Sequence, residues 1–366
     1  MLRANQIRNC LVALTIAAIA SQTNTAHGCL GCYRPPYRSL LEKIEASDHV
    51  IVARADDATG AKVIRIIKGD AVELDQIVSV NKANSNQNFA GELQLLRRSI
   101  INDDWDLESS LDRQLLGFLT LAVQLSPNAA AQKTLRDQTE YFRFFLPYLE
   151  HADREIADSA YAKLAGAPYA VLRALGKQLK PAQLKSWIES PQIAQKRKSL
   201  YITLLGVCGG QAESQLVKQW IDRGWQNQNT DNLAALLVAD AELNGEPAIR
   251  LIENAYLQNR ERQLGELIAA VNALRVHGQA DGKISRDRIK TSFQLLLRER
   301  PQLVELIIED CARWKDWSVA AKLMEIHAGG QQPWNNAMIL KYLQACPLPE
   351  AKRFVTRVSA TDARAK

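Results

Sequence analysis

The sequence predicts a mainly α-helical chain, an α-solenoid of stacked helical hairpins preceded by a small β-rich module. Three observations point there. One apolar stripe at helical phase recurs along the chain from about residue 106 onward. Proline and glycine punctuate the stretches between its copies. Runs of four to six residues rich in Val and Ile are confined to an earlier stretch, about 29–105.

The stripe is clearest over Arg154–Ala165. There Ile156, Ala157, Ala160, Tyr161 and Leu164 fall at i, i+1, i+4, i+5 and i+8, one face of a 3.6-residue period. Asp153 stands where an N-cap carboxylate would accept the free N–H groups of the first turn. Leu200, Tyr201, Leu204, Leu205 and Cys208 repeat the pattern, as do Leu233, Ala234, Leu237, Val238 and Ala241. A looser copy runs through Leu264, Leu267, Ile268 and Val271, and Val319, Ala320, Leu323, Met324 and His327 return to it. The first copies recur at intervals of roughly 33–44 residues, the size of a helical-hairpin repeat. A hairpin cannot cover its own apolar face, so each stripe is expected to be buried against a neighbour.

In the β-rich module the expected strands are Val50–Ala53, Lys62–Ile67, Gln76–Val80 and Glu92–Leu96, with a short helix over Tyr37–Glu45 and an Asn-rich loop over 81–88. β-branched runs of this length between turn residues suit a small antiparallel sheet or barrel.

The N-terminus reads as an export signal. Arg3 and Arg8 precede the apolar run Cys10–Ala20, and no acidic residue occurs before Glu42. That run is about half of the roughly 20 residues a spanning helix needs, so no transmembrane segment is expected once the signal is removed. Cleavage is open among Ala20, Ala26 and Gly28. The expected organisation is 1–28 signal, 29–105 β-rich module, 106–358 helical repeats and 359–366 polar tail, and the expected location is the periplasm, the cell surface or the medium.

Lys and Arg number 46 against 40 Asp and Glu, a net +6. That excess is small for the length, and the basic clusters, such as Lys196-Arg197-Lys198, are short. A nucleic-acid partner is therefore not expected. Export permits disulfides. Cys29-Leu30-Gly31-Cys32 is the candidate, read foremost as a structural disulfide between Cys29 and Cys32 or from either to Cys208, Cys311 or Cys346. A redox pair, and a zinc site completed by His27 or His49, are the other readings of that motif. Tyr33 stands where a haem-attachment motif needs histidine. No catalytic, cofactor-binding or metal-binding motif is present, and no cofactor is expected. His327 sits in the core phase of its helix. All seven tryptophans lie beyond residue 100, placed either to seal helix–helix joints or to line a groove for peptide or sugar.

Two resemblances follow. Leu146-Pro147-Tyr148-Leu149, then Asp153-x-x-Ile156-Ala157-x-x-Ala160-Tyr161-x-x-Leu164-Ala165, resembles a HEAT repeat, with its proline in the first helix and its Asp-x-x-Val start to the second. Such repeats carry a basic residue directly after the Val position, pairing with an acid of the next repeat. Ala157 occupies it here, so no continuous Asp–Arg ladder is expected. The whole is similar to uncharacterised exported bacterial HEAT-repeat proteins, which imply no reaction. The leading Cys-x-x-Cys, Asp48-His49-Val50-Ile51-Val52-Ala53-Arg54 and Val63-Ile64-Arg65-Ile66-Ile67-Lys68-Gly69 are similar to netrin-like or tissue-inhibitor-of-metalloproteinase-like OB barrels. The architecture implies an interaction protein binding a protein or peptide. The second resemblance implies an alternative, an inhibitor or regulator of an exported metalloenzyme through Cys29. A third alternative is an enzyme whose site is dispersed over several repeats.

Overall fold

A computed structural model of the chain describes residues 32–55, 60–81, 92–98, 104–126, 134–280, 282–330 and 333–364. The segment expected to be an export signal, together with Cys29, lies outside the described residues. The chain is mainly helical with a small N-terminal five-stranded sheet. After helix α1 (Leu40–Ala46) come β1 (Val50–Ala55), β2 (Gly60–Lys68), β3 (Ile77–Asn81), β4 (Leu93–Arg98) and β5 (Trp105–Leu111). They close into a barrel in the order β1-β2-β3-β5-β4. Every pairing is antiparallel except that of β3 with β5, where Val80 faces Trp105.

The four expected strands are all present, and β5 is a fifth. It carries the sheet past the boundary expected at residue 105. Trp-Asp-Leu-Glu-Ser-Ser-Leu has no β-branched residue, and its β state comes from pairing with β4 rather than from propensity. Strand β1 shows why the barrel is apolar in continuous runs. Ile51 and Ala53 point into the barrel with Val63, Val78, Leu96 and Trp105. Val50 and Val52 point the other way, joining Leu40, Leu41 and Ile44 of α1 and Phe118 of the following helix. A strand covered on both faces needs Val-Ile-Val-Ala rather than alternation. Helix α1 begins with a reciprocal cap, in which Ser39 Oγ accepts from the Glu42 N–H and the Glu42 carboxylate accepts from the Ser39 N–H at 3.0 Å.

The helical part runs α2 (Arg113–Leu125), α3 (Leu135–Arg143), α4 (Arg154–Ala165), α5 (Tyr169–Leu175), α6 (Pro181–Glu189), α7 (Lys198–Cys208), α8 (Gln211–Gln226), α9 (Leu233–Asn244) and α10 (Glu246–Ile252). It continues with α11 (Leu264–Ala280), α12 (Arg286–Glu299), α13 (Ile308–Arg313), α14 (Ala320–Ala328), α15 (Asn336–Ala345) and α16 (Pro349–Arg364). Helix α16 runs on to Arg364, so the tail expected from 359 is mostly its last turns. No helix among the described residues is long and apolar enough to cross a membrane.

Asp153 caps α4 as its position implies, its Oδ1 accepting from the N–H groups of Glu155 at 2.8 Å and Ile156 at 3.2 Å. All five stripe residues of α4 are buried, as are Leu200, Tyr201, Leu204 and Leu205 of α7 and Leu237, Val238 and Ala241 of α9. The looser copy breaks: Leu267 and Val271 are buried, but Leu264 is 53% and Ile268 39% exposed, with no helix among the described residues covering them. Helix α9 packs on α7, α8 and α11, and both α7 and α9 are buried nearly all round, the mark of central helices. Gly206 permits the closest approach: a Cβ there would lie 2.5 Å from Ala239 Cα.

Candidate functional site

The three inter-helix segments that precede α7, α9 and α11 lie side by side and wall a groove of about 600 Å³. Gln195 comes from the first, beside Lys198 at the head of α7, Asn227–Asn232 from the second, and Asn259, Glu261, Arg262 and Gln263 from the third, while Trp220 and Trp225 of α8 line it from the side. The middle loop is built by local polar chemistry. Gln228 and Asn232 hold positive φ (51° and 58°), a conformation that Asn, though not Gln, tolerates better than most residues. Asn229 Oδ1 accepts from the Asp231 N–H at 2.7 Å, an Asx turn, and Asn232 Nδ2 donates to Gln195 O at 3.1 Å, tying the second loop to the first.

Trp225 is held rigidly. Its indole Nε1 donates to Tyr256 Oη at 2.6 Å, and the Arg262 guanidinium lies over both rings, 5.2 Å from the Trp225 centroid and 5.1 Å from that of Tyr256. Arg262 is itself fixed, donating to Ala255 O and to Glu266 Oε1, both at 2.9 Å. Burial pushes the Tyr256 hydroxyl up to about 12, with Trp225 and Arg262 opposing, so it stays protonated as the indole's acceptor. The side-chain amides of Gln195, Asn227, Gln228 and Gln263 have no hydrogen-bond partner among the described residues. Among the charged side chains, Arg262 and Glu266 pair with each other, and Lys198 and Arg223 are balanced by Asp231 and Glu261.

The cysteine motif lies elsewhere. Cys32 is buried, its Sγ 3.7 Å from Thr203 Oγ1. The next residue is fastened to the same helix and to α4: the Tyr33 N–H donates to Ser199 Oγ at 2.8 Å, and Tyr161 Oη of α4 donates to Tyr33 O at 2.9 Å. Cys29, its proposed partner, and His27 lie outside the described residues. Cys208, Cys311 and Cys346 carry free thiols, and burial pushes Cys208 up to about 11. His49 sits beside Gly69 at the edge of the barrel. Among the described residues no three His, Cys, Asp or Glu side chains are grouped to hold a metal.

The tryptophans divide. Trp187 tilts against Tyr201, Trp314 stacks on Phe293, and Trp317 meets Tyr342, all sealing helix joints. Trp105 fills the barrel, and Trp334 is exposed. Only Trp220 and Trp225 line the groove. Reading the sequence for motifs missed this groove, although the run Gln226-Asn227-Gln228-Asn229-Thr230-Asp231-Asn232 is its one legible signal.

No protein-family model, no curated protein and no solved structure matches the chain.

Proposed function

We propose that the chain is an exported helical-repeat scaffold that holds a protein or peptide partner in the groove walled by Trp220 and Trp225. The observation that carries this reading is the alignment of three alternate inter-helix segments, those before α7, α9 and α11, beside one another, which turns separate loops into a continuous binding edge. Solenoids bind along such edges because every repeat contributes an equivalent position. The successive packing of α7 on α9 and α9 on α11 supports a HEAT-like stack, and the strand order with parallel β3 and β5 supports an OB-like barrel. The basic start and apolar run of the N-terminus support export. Cys32 and Tyr33 are held against α7, which favours the groove over the N-terminal cysteine as the binding element.

The test is selection of a displayed random-peptide library on the full chain, with counter-selection on a Trp220→Ala variant. The expected result is peptides that bind the parent and bind the variant more weakly. A library that yields no binder, or binders indifferent to Trp220, would remove the reading.

A further inference from the structure

Resting on that reading, we infer that the groove takes an extended, uncharged peptide segment of about six residues, gripped mainly through its backbone. Helix α7 packs on α9 and α9 on α11, and packed helices stand about 8–10 Å apart, so the three loops span roughly 16–20 Å. An extended chain rises about 3.3 Å per residue, which places about three residues between one loop and the next and about six along the whole edge.

The groups on those loops suit a peptide backbone. The amides of Gln195, Asn227, Gln228 and Gln263 each present a carbonyl and an NH₂ with no partner among the described residues. Such a group answers a backbone N–H and C=O together, and at least one stands on each of the three loops. With Lys198 and Arg223 set against Asp231 and Glu261, the groove has no net field with which to select a charged ligand.

Two other occupants fit less well. An amphipathic helix needs an apolar trough, but Ile202, Ile221, Leu233 and Leu236 of the floor are each under 8% exposed and offer little surface. A sugar ring stacks on an open indole face; Arg262 lies over that of Trp225, which leaves only the partly buried Trp220 to offer one.

The experiment uses peptides recovered from the uncharged and charged halves of a random dodecamer library. Each is resynthesised, truncated from both ends, and N-methylated at single backbone positions, and binding is read by fluorescence anisotropy on the full chain. A second protein carries Gln195, Asn227, Gln228 and Gln263 all changed to Ala. These side chains have no protein hydrogen bonds to lose, so unchanged circular dichroism is expected. The inference expects uncharged binders that keep their affinity down to about six residues. Each methyl group at a gripped position should then cost about tenfold, the size of one lost hydrogen bond, and the four-alanine variant should bind at least about tenfold more weakly.

Peptides that bind but are charged, tolerate N-methylation throughout, or ignore the four-alanine change would overturn the extended-backbone inference and leave a peptide-binding groove. No peptide binder, with neutral oligosaccharides bound instead on a glycan array, would overturn both.

Discussion

Arg197 reaches back from the turn before α7 to Asp158 on α4, its Nη1 2.6 Å from Asp158 Oδ1. The same guanidinium donates to Leu149 O at 2.9 Å and to Glu150 Oε1 at 3.1 Å, and lies 4.4 Å over the Tyr161 ring. Tyr201 Oη also donates to Glu150. Arg197 thus joins α4 and the turn before it to the start of α7 by a planar fork no lysine could reproduce.

Because Arg197 is 18% exposed and its acids 24–28%, removing it takes the guanidinium from two part-buried carboxylates, leaving Asp158 with Arg154 at 3.4 Å and Glu150 with the Tyr201 hydroxyl. Arg197→Met is expected to destabilise the chain by about 3 kcal/mol, the low end for a buried pair broken from one side. Arg197→Lys should restore only part of it. Urea unfolding, closed into a double-mutant cycle with Asp158→Asn, reads the coupling. A loss under about 1 kcal/mol would make the contact an ordinary surface pair.

Leu204 of α7 has no exposed surface. Leu204→Ala should cost about 2–5 kcal/mol, the range for emptying a packed core site. A loss below about 0.5 kcal/mol, measured by the same unfolding curves, would place the α7 stripe against solvent.

Gly206 tests the approach of α7 to α9 directly. In an open helix Gly→Ala would stabilise through propensity. Here the added Cβ meets Ala239 Cα at 2.5 Å and Ala239 Cβ at 2.7 Å. The helices must separate, and the substitution should cost about 1–3 kcal/mol, as overpacking does. A stabilising Gly206→Ala would mean that the two helices stand farther apart.

The sequence carried the helical texture and the phase of its inner helices because burial there is set by a local 3.6-residue period: Ile156, Leu204 and Leu237 are legible one segment at a time. It did not carry β5, whose Trp105 and Leu111 become strand residues only through pairing with β4, a contact made at a distance in sequence. Leu264 failed for the opposite reason, since it fits the stripe locally but no helix among the described residues covers it. The groove was opaque because its walls are three separate segments of ordinary loop composition. What joins Gln195 to Asn232, and both to the edge that Gln263 continues, is the stacking of α7, α9 and α11, which no single segment encodes.

His277 supplies a pH dependence with a defined sign. It lies on α11 and is 2% exposed. Its Nε2 stands 3.1 Å from Val238 O, a carbonyl that can only accept, so the proton of the neutral ring is on Nε2. Nδ1 then faces Glu242 Oε2 of α9 at 3.9 Å. That carboxylate is already engaged by Tyr169 Oη and Arg173 Nε of α5, each at 3.0 Å, while Lys283 donates to Leu243 O nearby. Burial holds the His277 pKa below the ordinary 6.5; Glu242 opposes the shift, and Arg173 and Lys283 add to it. The unfolded chain therefore takes up a proton near pH 6.5 that the native chain refuses until lower pH. Stability should fall as pH drops below about 6.5, by at most about 1.4 kcal/mol per unit, and the fall should stop once the native ring also protonates. His277→Gln keeps a donor for Val238 O but cannot titrate. Urea unfolding at pH 7.5, 6.5 and 5.5 should show a flatter profile for this variant than for the parent. Parallel profiles would show that His277 does not set this dependence.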